Sequence, residues 1–153
     1  MATVTVDQCV DQLNSLLRGE ISSVETYEQA IRKVGDEHAS DATALRAIAQ
    51  EHGEAAQALR DEITRLGAEA DNSSGAWGAW AKVVEGTARL FGDASALKAL
   101  KEGEEHGLKD YREAIDDVDE SARELITNRL IPAQVRHIGV LDAMTAKINA
   151  IGD

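Results

Sequence analysis

Four stretches of the chain carry apolar residues at alternating intervals of three and four, the period that keeps one face of a helix turned to a core. The first is Leu13, Leu17, Glu20, Val24, Tyr27, Ile31 and Val34, and the second is Leu45, Ile48, His52, Ala55/Ala56, Leu59, Ile63 and Leu66. The third runs Leu97, Leu100, Glu104, Leu108, Tyr111, Ile115 and Val118; the fourth runs Leu130, Gln134, His137, Leu141, Met144, Ile148 and Ile151. Polar punctuation sets their limits. Thr5-Val6-Asp7-Gln8 is a capping-box pattern that predicts a helix over about 6–34. After the polar break from Gly35 to Asp41, Ser40 or Asp41 can cap a second helix over about 41–67, with Gly67 suited to a left-handed C-terminal cap. A third helix is expected over about 94–118, and a second capping box, Ser121-Ala122-Arg123-Glu124, opens a fourth over about 121–151. Pro132 inside that helix lacks an N–H and presses on the preceding turn, which predicts a kink.

Short loops within each pair of helices and a long connection between the pairs predict an all-α, antiparallel four-helix bundle filling one domain over 1–153. The connection, Ala68 to Asp93, includes a shorter helical stretch at about 77–90 bearing Trp77 and Trp80. It is long enough to carry the chain back along the bundle before the second hairpin begins. The two halves also repeat. A shift of 84 places Gly19, Glu20, Tyr27, Ala30 and Ile31 on Gly103, Glu104, Tyr111, Ala114 and Ile115; a shift of 85 places His52 on His137 and Gly67 on Gly152. This is the mark of a duplicated helical hairpin with one residue of drift in the loop.

Composition narrows the function classes. The 153 residues include one Pro, two Trp, two Tyr and one Phe, so the core must be built from Ala, Leu, Ile and Val, as in helical bundles. With 16 Lys and Arg against 28 Asp and Glu, the net charge is -12, which argues against binding to nucleic acid or to an anionic membrane. No basic and apolar leader precedes the first helix, and no 18 apolar residues run together, so the expectation is a cytoplasmic protein. The lone Cys9 has no partner for an internal bridge and fits a reducing compartment. No Ser/His/Asp arrangement, phosphate loop or Cys pair is present.

The chemistry lies in the seams themselves. Each apolar stripe carries a carboxylate or an imidazole: Glu20, His52, Glu104 and His137. Residues equidistant from the turn of an antiparallel hairpin share a level, and Glu20 and His52 are centred on the first loop, Glu104 and His137 beside Ser121. All four should therefore meet in mid-bundle. An unpaired buried Glu would cost several kcal/mol or take up a proton, whereas a metal ion or a His partner answers that cost. Two carboxylates and two imidazoles in an apolar core are the donor set of an Fe, Mn or Zn site. The metal-free alternative is a pair of buried Glu/His contacts that fix helix register. Tyr27 and Tyr111, seven residues after the glutamates, should be core residues with their hydroxyls bonded nearby. Gly19, Gly53, Gly103 and Gly139 suggest close helix approach first and room for a ligand second. Glu51, Glu54, Glu105 and His106 fall beside the seams and read as a solvated flank, and residues 116–120 as a solvated acidic turn.

With these residues the sequence resembles the ferritin-like superfamily, and within it a bacterial family of stand-alone four-helix-bundle proteins described as a domain of unknown function. The likeness rests on Gly19-Glu20, Gly103-Glu104, Tyr27, Tyr111, the Trp77/Trp80 segment and His137. Ferritin-like di-iron proteins use a Glu from each of the first and third helices and Glu-x-x-His from each of the second and fourth. Glu20, Glu104, His52 and His137 match that pattern, while Ala49 and Gln134 stand where the two remaining glutamates would be. The resemblance thus implies a ferritin-like metal-binding protein, an iron- or manganese-dependent oxidoreductase or an iron-handling stress protein. Its ligands would be Glu20, His52, Glu104 and His137, with Gln134 as an auxiliary contact. With two carboxylates missing, the set suits one ion, Fe or Mn ahead of Zn, or none. The competing reading is a metal-free helical module for self-association or partner binding, and a homodimer or higher homo-oligomer is expected under either.

Overall fold

The computed structural model describes residues 3–34, 39–74 and 95–152. Its first helix, α1 (Val6–Val34), begins at the expected capping box. The Thr5 amide donates to Gln8 Oε1 at 3.0 Å and the Gln8 amide to Thr5 Oγ1 at 3.1 Å, so two orphan donors of the first turn are satisfied reciprocally. The second helix, α2 (Ala39–Arg65), starts two residues before the expected 41, which puts Ser40 and Asp41 within its first turn. It ends in a left-handed Gly67 with φ of 80°. The amide of Gly67 bonds to the Thr64 carbonyl at 2.9 Å and that of Ala68 to the Ile63 carbonyl at 3.2 Å, the two closures of a Schellman cap.

The third helix, α3 (Ser95–Ala114), is shorter than the expected 94–118: the chain tightens into a 3-10 turn over Ile115–Asp117 and leaves through an extended Val118. The fourth arm is built in three pieces, α4 (Glu120–Leu125), a π turn (Ile126–Leu130) and α5 (Ile131–Gly152). Its cap is Asp119, whose carboxylate accepts from the Ala122 amide at 3.0 Å, and not Ser121, whose hydroxyl donates to Glu62 Oε1 at 2.8 Å. Asp119 also takes Arg65 at 2.6 Å, so part of the acidic run expected to be a solvated turn instead stops one helix and starts the next. The disturbance expected at Pro132 appears just before it. The Ile131 amide bonds five residues back to the Ile126 carbonyl, a widened turn that precedes the residue with no amide hydrogen to offer.

Two clusters of buried residues show how the helices run. One joins Cys9, Leu13, Leu16 and Leu17 with Leu59 and Ile63, and with Tyr111, Val118, Ala122, Ile126 and Leu130. The other joins Tyr27 and Ala30 with Ala42, Leu45 and Ile48, and with Ala96, Leu97, Leu100, Leu141 and Met144. Hence α1 is antiparallel to both α2 and α3, and α5 is antiparallel to α3. The helix α2 ends beside one cluster while α3 begins beside the other. Residues 66–74 climb the side of α1. Asn14 Nδ2 donates to the Glu69 carbonyl at 3.4 Å, the Asp71 amide donates to Asn14 Oδ1 at 2.9 Å, Arg18 pairs with Asp71, and Ser74 donates to Glu25 Oε2 at 3.0 Å. The described residues are all-helical in their regular structure, with no strand among them and no helix long and apolar enough to cross a membrane. The expected helix at 77–90, with Trp77 and Trp80, lies outside the described residues.

Candidate functional site

Between the two apolar clusters lies a polar layer, one member from each helical arm. Glu20 on α1, His52 on α2, Glu104 on α3 and His137 on α5 are 5%, 1%, 0% and 2% exposed. The apolar seams bury them: Leu17 and Tyr27 flank Glu20 on its face of α1, Ile48 and Leu59 flank His52, and Leu100 and Tyr111 flank Glu104. The four meet in mid-bundle, as their equal distance from the turns requires.

They meet in a chain rather than as two matching pairs. His52 is the centre: its Nδ1 lies 2.6 Å from Glu20 Oε2 and its Nε2 2.6 Å from Glu104 Oε1. His137 takes the other oxygen of Glu104, with Nδ1 3.3 Å from Oε2, and its Nε2 points outward to Glu51 Oε2 at 3.1 Å. The tyrosines cross the bundle. Tyr27 on α1 donates to Glu104 Oε1 on α3 at 2.7 Å, and Tyr111 on α3 donates to Glu20 Oε1 on α1. The His52 ring also packs between aromatic neighbours, 5.5 Å from the Tyr27 centroid and 4.7 Å from that of His137.

The electrostatics follow from this geometry. Burial alone would push His52 down, but the charges of Glu20 and Glu104 and their hydrogen bonds outweigh it, and its pKa is pushed up to about 10. Burial pushes Glu104 up, yet the His52 charge and the bonds from His137 and His52 pull it down to about 2. Tyr27 and Tyr111 are held well above the ordinary phenol value, first by burial and then by the carboxylate each one faces. Glu51 is held below the usual carboxylate value because the Arg136 bond and the His137 contact together outweigh its partial burial. The geometry therefore favours a protonated His52 against the Glu104 carboxylate at the centre of the layer.

Glu51 is not the solvated flank that its place beside the seam suggests. It reaches His137 and also takes Arg136 at 2.6 Å, closing the outer end of the chain. The signal lay in the repeat, since Glu51 and Arg136 occupy equivalent positions beside the two histidines and carry opposite charges. Gln134 is buried where expected, but its amide goes to the backbone: Nε2 donates to the Glu104 carbonyl at 3.0 Å. That approach explains Gly107, where an added Cβ would lie 2.6 Å from Gln134 Nε2. Close helix contact does not explain Gly19, Gly53 or Gly139, where an added Cβ would meet nothing within 4 Å.

Ligand atoms of His52, Glu104 and His137 all lie within 4.8 Å of one another, so this buried His/Glu cluster could hold a metal ion. The imidazole and carboxylate donors fit Fe, Mn or Zn in kind. The 2.6 Å between His52 Nε2 and Glu104 Oε1 is a hydrogen-bond distance. Metal bonds of about 2.0–2.2 Å to each atom need a wider gap, so an ion requires the His52 proton to leave and the pair to part slightly. Glu20 joins through His52, and its separation from the other ligands is bridged by that ring.

A family model described as a domain of unknown function, DUF2383, matches residues 8–117. That span carries Glu20, Glu51, His52, Glu104 and both tyrosines, and it stops short of Gln134 and His137. No curated protein matches the chain, and no solved structure does.

Proposed function

The chain belongs to this DUF2383 family, and from its buried cluster we propose that it is a ferritin-like metal-binding protein. One observation carries the reading: three buried donors from three helices, His52, Glu104 and His137, with ligand atoms within 4.8 Å of one another. Glu20, the other carboxylate expected as a ligand, would hold the His52 ring from its far side by accepting from Nδ1 while Nε2 faced the ion. With Ala49 and Gln134 in place of two glutamates, the set neutralises one divalent cation rather than two. Bound iron or manganese would supply one-electron redox chemistry, the basis of an oxidoreductase or iron-handling role in the cytoplasm. The chain's own residues set the terms. Tyr27 and Tyr111 fix the two carboxylates by donating to them, and Glu51 orients the His137 ring from outside, as carboxylates do around metal-bound histidines.

A second reading is favoured by a different observation. Both nitrogens of His52 already sit at 2.6 Å from carboxylate oxygens, and among the described residues no buried side-chain polar atom lacks a partner. A metal-free bundle whose imidazolium ties three helices in register has that complete set of bonds. Elemental analysis of protein produced in iron- or manganese-supplemented medium separates the two. The metal reading expects about one ion per chain, lost in Glu104→Ala and His137→Ala. Folded protein that carries no ion from either medium leaves the register role standing.

A further inference from the structure

A cavity of about 360 Å³ opens between α1 and α3 and meets the polar layer at Glu20. Most of its lining surface is apolar, with Gly19 and Leu16 on one side and Ala99, Gly103 and Gly107 on the other, although polar side chains are more numerous among the described residues that line it. Gly19 and Gly103 are equivalents in the internal repeat, so both copies of the hairpin give up a side chain at this level. Glycine is a poor helix former, so its presence inside both helices costs helix stability. At Gly107 close approach by Gln134 explains the glycine, but at Gly19 an added Cβ meets nothing within 4 Å, so the space there is left open. The inner end of the cavity is polar: Glu20, Tyr111 and Gln134. Of the two core carboxylates, Glu20 is 5% exposed against 0% for Glu104, and it is the one that lines the space. Each of its oxygens spends one lone pair, on Tyr111 or on His52, and keeps another for a further donor.

We propose that this cavity binds a small, mainly apolar molecule bearing one hydrogen-bond donor, an alcohol or an amine, with the donor set against Glu20. The volume is that of a small-molecule site, and the split between a mostly apolar surface and a few convergent polar groups at its inner end is how such sites orient a ligand. Charge selects among ligands. Glu102 and Asp110 also line the space, and with Glu20 they disfavour an anion, while His106 lies 3.4 Å from Asp110 and is engaged with it. A carboxylic acid of the same size would bring a second negative charge against Glu20 with no donor to offer. The inference needs no metal and goes beyond the metal reading, since it rests on space and on a free acceptor.

The test uses the purified full-length chain, once after chelation and once with added manganese, titrated with benzylamine, benzyl alcohol and benzoate and followed by NMR shifts or calorimetry. Benzylamine and benzyl alcohol should bind saturably and benzoate at least about ten-fold more weakly. Gly19→Leu places a side chain in the open space at a site where helix propensity improves, and should weaken both ligands at least about ten-fold while the helical circular dichroism is kept. Gly19→Ala should fall between. Equal binding of benzoate, no saturable binding of any probe, or unchanged affinity in a folded Gly19→Leu protein would each overturn the proposal. Because the chelated protein is measured separately, loss of metal binding and loss of this site give different results.

Discussion

His52 gathers more of the interior chemistry than any other side chain, since both its nitrogens face carboxylates in a layer that is almost wholly buried. Removing the cation while leaving Glu20 and Glu104 in place strands negative charge in an apolar core. In chelated protein, His52→Leu should therefore lower stability by about 3–5 kcal/mol, read from urea denaturation. Tyr111→Phe takes only one donor from Glu20, and Tyr27→Phe one donor from Glu104, so each should cost about 1–3 kcal/mol in the same assay. Losses as large as that of His52→Leu would mean that the phenols, not the imidazole, hold the carboxylates. The four seam residues were legible because a charged group on an otherwise apolar stripe has no other place to go. Glu51 was not legible from its own stripe. It sits one residue off the seam, and its partners, Arg136 and His137, come from a helix more than 80 positions away.

At the level of elements, the punctuation decided what could be read. The Thr5–Gln8 box and the Gly67 cap formed as their residue types require, since each is a local bond pattern that needs no distant partner. The start of the fourth arm did not, because Asp119 and Ser121 are both good caps and tertiary contacts chose between them: Arg65 draws Asp119 in, and Glu62 takes the Ser121 hydroxyl. Asp119→Ala should cost about 1 kcal/mol, and Ser121→Ala clearly less. The pairing of Gly107 with Gln134 gives a sharper check. Gly107→Ala pushes a Cβ against the Gln134 amide and breaks its bond to the Glu104 carbonyl; Gln134→Ala loses the same bond and leaves a gap. In the double variant the gap receives the new methyl, and helix propensity at 107 improves, so the double should melt above at least one of the singles and show coupling well beyond additivity. Strictly additive losses would place the two residues out of contact.

Across the whole molecule, the polar layer divides the core into two apolar halves, and its protonation links stability to pH with a sign that depends on whether metal is present. For chelated protein, His52 is raised from 6.5 to about 10, so its contribution is fully present below about 6.5 and is lost as pH rises through 10. Glu104 is lowered from 4.5 to about 2, so its contribution is present above about 4.5 and is lost as pH falls through 2. The metal-free bundle should thus be most stable between about pH 4.5 and 6.5 as far as these two groups decide it, and should weaken from pH 7 to 10. Metal reverses the alkaline limb. A cation can take His52 Nε2 only after the proton leaves, so the competition between proton and ion eases as pH rises. The gain in melting temperature on adding iron or manganese to chelated protein should therefore be small near pH 5.5 and grow steadily towards pH 9. Thermal melts at four or five pH values, each with and without metal, measure both limbs at once. A chelated protein that gains stability from pH 6.5 to 9 would show that His52 is not the cation between the two glutamates. A metal-dependent gain that is level across the same range would mean the ion is held without His52.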